Sequence, residues 1–508
     1  MATRRPATAR TEEEERQPLR PAGSPVASAP EAESSAPVVA AADLYRVWKL
    51  AAGETVAALG VGVGDLLVLV LTRAALPDDL AGLAFVMMFE EWAIMTACAL
   101  VNGMAVALIE AVSGGKAAEA RRSRFAVLVA ALAASVVTAG MLLAGQGPAV
   151  AWLGLAPGAR AVVERSAVAV SLTVAPSIMA RLLEVLLGAI DEAEQLVVVG
   201  VLEMVAKLAV FAALQPTLGV GAYAWASIAS ALVASIAAAA LLARAEAGGE
   251  PRPRLSDVGV DAGGKAWALT LSLFLSLGLP SMVSVCVDLF SHYFVVIVAG
   301  SISVAEVVAL RIAEGCVWPV LTTSSAVLES VAAMAATRVG EGDVAGGLRS
   351  LRLAWGLVVL ATAAVASVVL VLPAELLALP FYDECGTAAC HKSVELGRWV
   401  TIIALVVNVL DSARGADMLM LRCLLDSAAP AAVHAVSVAA VGVPLGLALA
   451  IPAGWGSIGT VLGRGVAMAV AAVGTRWLLN RALRSALEAA KDGPDSPAAI
   501  GFDGDSTV

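Results

Sequence analysis

Between Trp48 and Leu483 the sequence is a succession of apolar runs, each long enough to cross a bilayer and divided by short polar connections. A helix of roughly 20 apolar residues spans the hydrocarbon layer. Inside lipid every backbone amide needs a partner within the protein, which leaves helices and closed barrels as spanning elements. The runs lack the apolar–polar alternation of barrel strands. The chain is 59% hydrophobic with a mean hydropathy of +0.86, far above a soluble domain. The sequence predicts an all-α, polytopic membrane protein.

Twelve transmembrane spans are expected, in two pseudo-symmetric bundles of six. They fall at 47–72, 82–112, 124–144, 161–187, 193–214 and 219–243, then at 265–299, 303–336, 350–372, 394–424, 429–451 and 456–483. The polar stretch Ala245–Gly264, with Pro251 and Pro253, divides the sets. The expected organisation is a tail over 1–45, a six-helix bundle over 46–244, a linker over 245–264, a second bundle over 265–484 and a tail over 485–508. Both tails are polar and without an apolar face, so they read as disordered. The Ala-, Arg- and Ser-containing start resembles a transit peptide, but the acidic run Glu12–Glu15 argues against one.

Charge in the loops orients the chain. Lys116, Arg121, Arg122 and Arg124 follow span two, Arg252, Arg254 and Lys265 follow span six, and Arg338, Arg349 and Arg352 follow span eight. Alternate loops are poorer in basic residues, so the positive-inside rule puts both termini in the cytoplasm, with the chain in a plasma or inner membrane. The formal net charge of −10 is concentrated outside the spans, in Glu12–Glu15 and in Glu488, Asp492, Asp495, Asp503 and Asp505. No basic stripe with interleaved aromatics suggests nucleic acid as a partner. The expected partners are a small organic substrate and the lipid bilayer, with the chain acting as a monomer.

The halves repeat in sequence. VSGGKAAEARRS at 112–123 aligns with VGEGDVAGGLRS at 339–350, each residue 227 positions on. The same offset sets Glu184 on Asp411. Six-span halves repeated in one orientation are a transporter signature, with the substrate site expected between them.

Several segments resemble the multidrug and toxic compound extrusion (MATE) family, in order, over about Trp48–Arg484. Leu421–Pro430, LRCLLDSAAP, is similar to the family's LRGxxDTxxP after span ten, with Cys423 for Gly and Ser427 for Thr. Gly278-Leu279-Pro280 followed eight residues later by Asp288 resembles span seven. VALRIA at 308–313 is similar to AAHQIA, with Leu310 and Arg311 where His and Gln are usual, and LGVGAYAWA at 218–226 resembles the start of span six. The resemblance implies a V-shaped pair of six-helix bundles and cation-coupled export of organic, often cationic, compounds.

The acids inside the spans carry the functional expectation. An ionisable group at the centre of a spanning helix costs roughly 2.5–3.5 kcal/mol on insertion scales. Asp288 follows Pro280, which breaks the helix and offers a hinge. The resemblance places Asp288, Asp411 and Asp65 at the family's cation- or proton-coupling positions, with H+ or Na+ as the coupling ion. Other readings stand beside these. Asp288 is also placed to cap near Ser284 and Ser291, and Asp411 to bridge to Arg414 three residues on. Asp65 follows Gly60, Gly62 and Gly64, where the helix can bend or pack closely.

Asn102, Glu184, Glu203, His292, Tyr293 and Trp318 are candidates for the substrate cavity. Each also has a structural reading: an interhelical hydrogen bond for Asn102, pairing of Glu184 with Arg181 and of Glu203 with Lys207, simple hydrogen bonding for His292, and interfacial anchoring for Tyr293 and Trp318. Arg311 and Glu314, three residues apart, are expected to pair. Cys385 and Cys390, in a polar outer loop, are candidates for a disulfide. No zinc-like Cys/His spacing occurs, so neither a metal nor a cofactor beyond the coupling ion is expected. No HxxxD, HExxH, G-x-S-x-G or P-loop pattern points to an enzyme. The expected function is secondary active antiport of organic compounds. A lipid-linked precursor flippase, the alternative, would want a basic cavity.

Overall fold

The computed structural model of the chain describes residues 77–153, 157–189, 195–248, 263–372 and 388–491, with scattered positions between 44 and 71. Every regular element described is helical. In the first half, span two is Pro77–Ser113, span three Ala117–Leu153, span four Pro157–Ala189, span five Leu196–Leu218 and span six Ala222–Gly248. In the second, span eight is Val304–Gly340, span nine Val344–Val371, span ten Ala388–Cys423 and span twelve Gly456–Lys491. Spans seven and eleven are interrupted. Span seven runs Gly264–Leu273, a π turn at Phe274–Gly278, then Leu279–Ile302, and span eleven runs Ala428–Ser437, a π turn at Val438–Gly442, then Val443–Ala450.

Eleven of the twelve expected spans are thus present. The first, 47–72, lies mostly outside the described residues. Most helices overrun the expected apolar cores by several residues, because polar turns continue a helix into the headgroup region without lipid contact. Large apolar side chains such as Leu132, Val371 and Val473 stand exposed on the outside, as a lipid-facing surface requires.

The sequence repeat is also a backbone repeat. Gly115 and Gly342, at matching places after spans two and eight, both take positive φ, +68° and +90°. That conformation lets the helix stop and the chain re-enter the next span within a few residues.

Both π turns end on the glycine of a Gly-x-Pro: Gly278-Leu279-Pro280 and Gly442-Val443-Pro444. Proline cannot donate to the preceding turn, and widening that turn by one residue accommodates the lost bond without a sharp kink. The expected break at Pro280 therefore takes the form of a π turn.

Glycine sets the close crossings. A Cβ on Gly103 of span two would lie 2.8 Å from the Leu277 carbonyl oxygen in the π turn of span seven. A Cβ on Gly463 of span twelve would lie 2.4 Å from the Gly446 nitrogen in span eleven. Small residues bring helix backbones together where lipid supplies no hydrophobic drive. The first contact joins the two halves, and the second ties span eleven to span twelve.

Candidate functional site

Four helices of the second half converge on a charged cluster. Span seven contributes Asp288, span ten Asp411 and Arg414, span eleven His434 and span twelve Arg464. The two interrupted helices are thus the ones that carry Asp288 and His434.

Arg414 is the centre of the cluster and is 3% exposed. Its Nε donates to Asp411 Oδ1 at 2.9 Å. Its Nη2 reaches Asp288 Oδ2 at 3.0 Å and Oδ1 at 3.2 Å, and also lies 2.7 Å from Asp411 Oδ1. Nη1 donates to Ser284 Oγ at 3.4 Å. The planar guanidinium presents a fork of donors, so one side chain can serve two carboxylates at once. His434, fully buried, places Nε2 2.8 Å from Asp288 Oδ1. Arg464 Nη2 lies 3.8 Å from Asp411 Oδ2.

The cluster adjoins a cavity within the second bundle. Most of its wall is Val, Leu and Ala from spans seven, eight, ten and twelve, and its polar groups are His292, Glu314, Asn408, Arg464 and the indole of Trp318. His292 Nε2 is 3.4 Å from Glu314 Oε1 and its Nδ1 is 3.5 Å from Arg464 Nη1. The Trp318 ring centroid lies 5.5 Å from that of His292. Asn408 donates to Ser324 and Thr362, each at 3.3 Å. An apolar chamber with a few convergent polar groups is the usual form of a small-molecule site.

Of the residues singled out from sequence, the structure brings together Asp288 and Asp411 through Arg414, and it sets His292 and Trp318 on the cavity wall. Tyr293 packs edge-on against His292, with ring centroids 5.8 Å apart. Asn102, Glu184 and Glu203 lie in the first half. Asn102 donates to Glu329 Oε2 at 3.5 Å, and Glu184 pairs with Arg181 at 2.7 Å. Lys207, the expected partner of Glu203, has its Nζ 4.8 Å over the Tyr223 ring as one of its contacts. Glu314 meets His292; the side chain of Arg311, its expected partner, lies outside the described residues. Asp65 and Cys385 lie outside the described residues, as does the side chain of Cys390. This cavity lies inside the second half. Among the described residues no group of His, Cys, Asp or Glu is arranged to hold a metal ion.

His434 and Arg464 were not singled out from sequence. His434 reads as one more residue of an apolar run, and Arg464 as a basic residue near a helix start. Only folding brings them to Asp288 and Asp411.

No family model matches the chain, and no curated protein matches it. Solved structures do. A eukaryotic MATE transporter, AtDTX14, superposes with a TM-score of 0.74 at 13% identity, over 89% of this chain and 99% of that one. A mutant of the Vibrio cholerae MATE transporter VcmN gives 0.75 at 16% identity, over 88% and 98%. A multidrug resistance MATE family transporter in an outward-facing conformation gives 0.75 at 16%, over 87% and 96%. The chain has the MATE fold. It is a multi-pass integral membrane protein, and the expected pair of helical bundles is borne out. The MATE fold also accounts for the order of the motifs: the LRCLLDSAAP segment closes span ten and turns through Leu425, whose φ is +59°, into span eleven.

Proposed function

We propose that the protein is a secondary active antiporter that exports small organic compounds, cationic ones in preference, in exchange for H+ or Na+ by alternating access. The observation that carries this reading is the buried Asp288–Arg414–Asp411 cluster beside an apolar cavity, on a MATE fold. Carboxylates on separate helices hold those helices together only while their charges are matched. A change of charge on either acid alters the energy of the whole arrangement by enough to favour one state over another.

Glu314 and the Trp318 face support a cationic, apolar substrate. The carboxylate supplies an opposite charge and the indole a quadrupole that attracts cations. A precursor flippase finds less support, because the basic Arg464 is opposed on the same wall by Glu314. The loop charges favour cytoplasmic termini, as set out above.

The test is uptake of a fluorescent organic cation into proteoliposomes, under a proton gradient and then a sodium gradient. Gradient-driven uptake by the wild type that is lost in Asp288→Asn supports the antiporter. Uptake unchanged in both Asp288→Asn and Asp411→Asn would sink it. Absence of uptake under either gradient would redirect attention to lipid substrates.

A further inference from the structure

We infer that the Asp288–Asp411 pair is a cation site already occupied by the chain itself, with the Arg414 guanidinium as its resident ligand. The site therefore has no room for Na+ in the wild type, and it takes guanidinium or a small monovalent cation once that side chain is removed. The inference deepens the antiporter reading above and rests on it only for its consequence in transport.

The geometry is that of a ligand in a binding site. One nitrogen, Nη2, contacts both carboxylates, at 3.0 and 3.2 Å to Asp288 and 2.7 Å to Asp411. Nε makes a second bond to Asp411. Ser284 Oγ accepts from Nη1, and Met418 Sδ lies 3.8 Å from the same nitrogen. The donor set thus includes oxygens from spans seven and ten, which is what a bound cation would draw together. The guanidinium is buried from solvent, so its replacement by an outside ion would strand a buried charge. His434, fully buried with Nε2 at Asp288 Oδ1, closes another side.

The arrangement separates two kinds of coupling. Where an acid pair is empty, an external cation must enter to match its charge. Here the matching charge is tethered and travels with span ten. Movement of span ten against span seven can exchange the Arg414–Asp288 contact without a second ion entering. Transport by the wild type is then indifferent to Na+ at this site.

The test reads binding rather than transport, so it stands apart from the antiport assay. Radioactive Na+ binding and the Na+ dependence of Tm are measured on the purified full chain, for wild type and Arg414→Ala. The wild type is expected to bind no Na+ at Asp288 and to show no Na+-dependent shift. Arg414→Ala is expected to rise in Tm by several degrees in millimolar guanidinium and by less in Na+, with no response to urea or tetramethylammonium. That rise should vanish in Arg414→Ala/Asp288→Asn. Wild-type Na+ binding that Asp288→Asn abolishes would overturn the inference, as would a folded Arg414→Ala indifferent to guanidinium. If Arg414→Ala does not fold, Arg414→Ser serves: its small, uncharged side chain also leaves the place of the guanidinium open between the two acids. Guanidinium is then expected to raise its Tm where urea does not, and no shift would overturn the inference.

Discussion

Asn102 and Glu329 hold the same place in the two halves, 227 residues apart, and touch each other at 3.5 Å. Residues related by a two-fold operation meet only where they lie on its axis. The C-terminal ends of the same two helices repeat the relation, because a Cβ on Gly340 would lie 3.0 Å from the Cβ of Ser113, its own counterpart. The pseudo-two-fold axis of the molecule therefore runs along the crossing of spans two and eight. In this structure the halves are closed at that end.

A transporter that alternates must open this crossing. Cysteines placed as Asn102→Cys and Glu329→Cys, in a background lacking the other cysteines, are expected to join efficiently with a short thiol cross-linker and to arrest transport when joined. Cross-linking with no effect on transport would show that spans two and eight do not separate during the cycle.

Gly340 tests the same crossing by size alone. Its missing Cβ would fall 2.6 Å from the Glu110 carbonyl oxygen, a backbone atom that cannot step aside. Gly340→Ala is expected to disfavour the closed crossing by about 1–3 kcal/mol, the usual range for overpacking. The readout is a drop in the Asn102→Cys/Glu329→Cys cross-linking rate with the helical circular dichroism unchanged.

The fold was largely legible in the sequence because its grammar is local. Apolar length marks each span, and Gly115 and Gly342 mark the turn that repeats. The acids of the site were legible too, since a carboxylate such as Asp288 is conspicuous in an apolar run. Its partners were not. Arg414 could be foreseen against Asp411, three residues away on one helical face, but its bond to Asp288 joins helices 126 residues apart. His434 and Arg464 reach the cluster only through the packing of spans eleven and twelve. The position of the cavity is likewise a tertiary property that no local pattern records.

The cluster predicts unequal costs for removing its members. Arg414 faces two carboxylates, so Arg414→Met leaves Asp288 with His434 alone and Asp411 with Arg464 at 3.8 Å, and is expected to destabilise by about 3–5 kcal/mol, the range for breaking a buried ion pair. Asp411→Asn leaves Arg414 paired with Asp288 and keeps a hydrogen-bonding side chain, so its cost should be clearly smaller. Thermal unfolding in detergent, compared across the two variants, checks the order. Equal Tm values would show that Arg414 is not the member on which the cluster depends.

Spans eleven and twelve approach backbone to backbone at Gly446 and Gly463. A methyl group on Gly463 has backbone 2.4 Å away on the facing helix. Gly463→Ala should push span twelve outward and carry Arg464, the next residue, away from His292 and Asp411. The expected result is a loss of about 1–3 kcal/mol in stability together with weaker substrate binding. Gly474→Ala is the milder comparison, because its new Cβ would meet the side chain of Val433, which can rotate. Weakened binding in both variants alike would tie the effect to general packing rather than to the placement of Arg464.

The far end of span twelve is held by a carboxylate from span eight. Glu306 accepts from the Ser457 backbone N–H at 2.7 Å and from the Ser457 hydroxyl, filling the place of a cap at the first turn of Gly456–Lys491. Gly456, with φ +55°, lies so close that a Cβ there would strike the carboxylate. A charged acceptor for the free N–H groups of a helix start also favours the helix dipole. Glu306→Ala is expected to cost about 1.5–3 kcal/mol, the range for a hydrogen bond to a charged group, whereas Glu306→Gln keeps an oxygen acceptor and should cost less. Because spans eight and twelve both line the cavity, loosening this clasp should also raise hydrogen exchange in the first turn of span twelve. Exchange there that matches the wild type in Glu306→Ala would show that the helix start is held by its own packing, with Glu306 adding nothing to it.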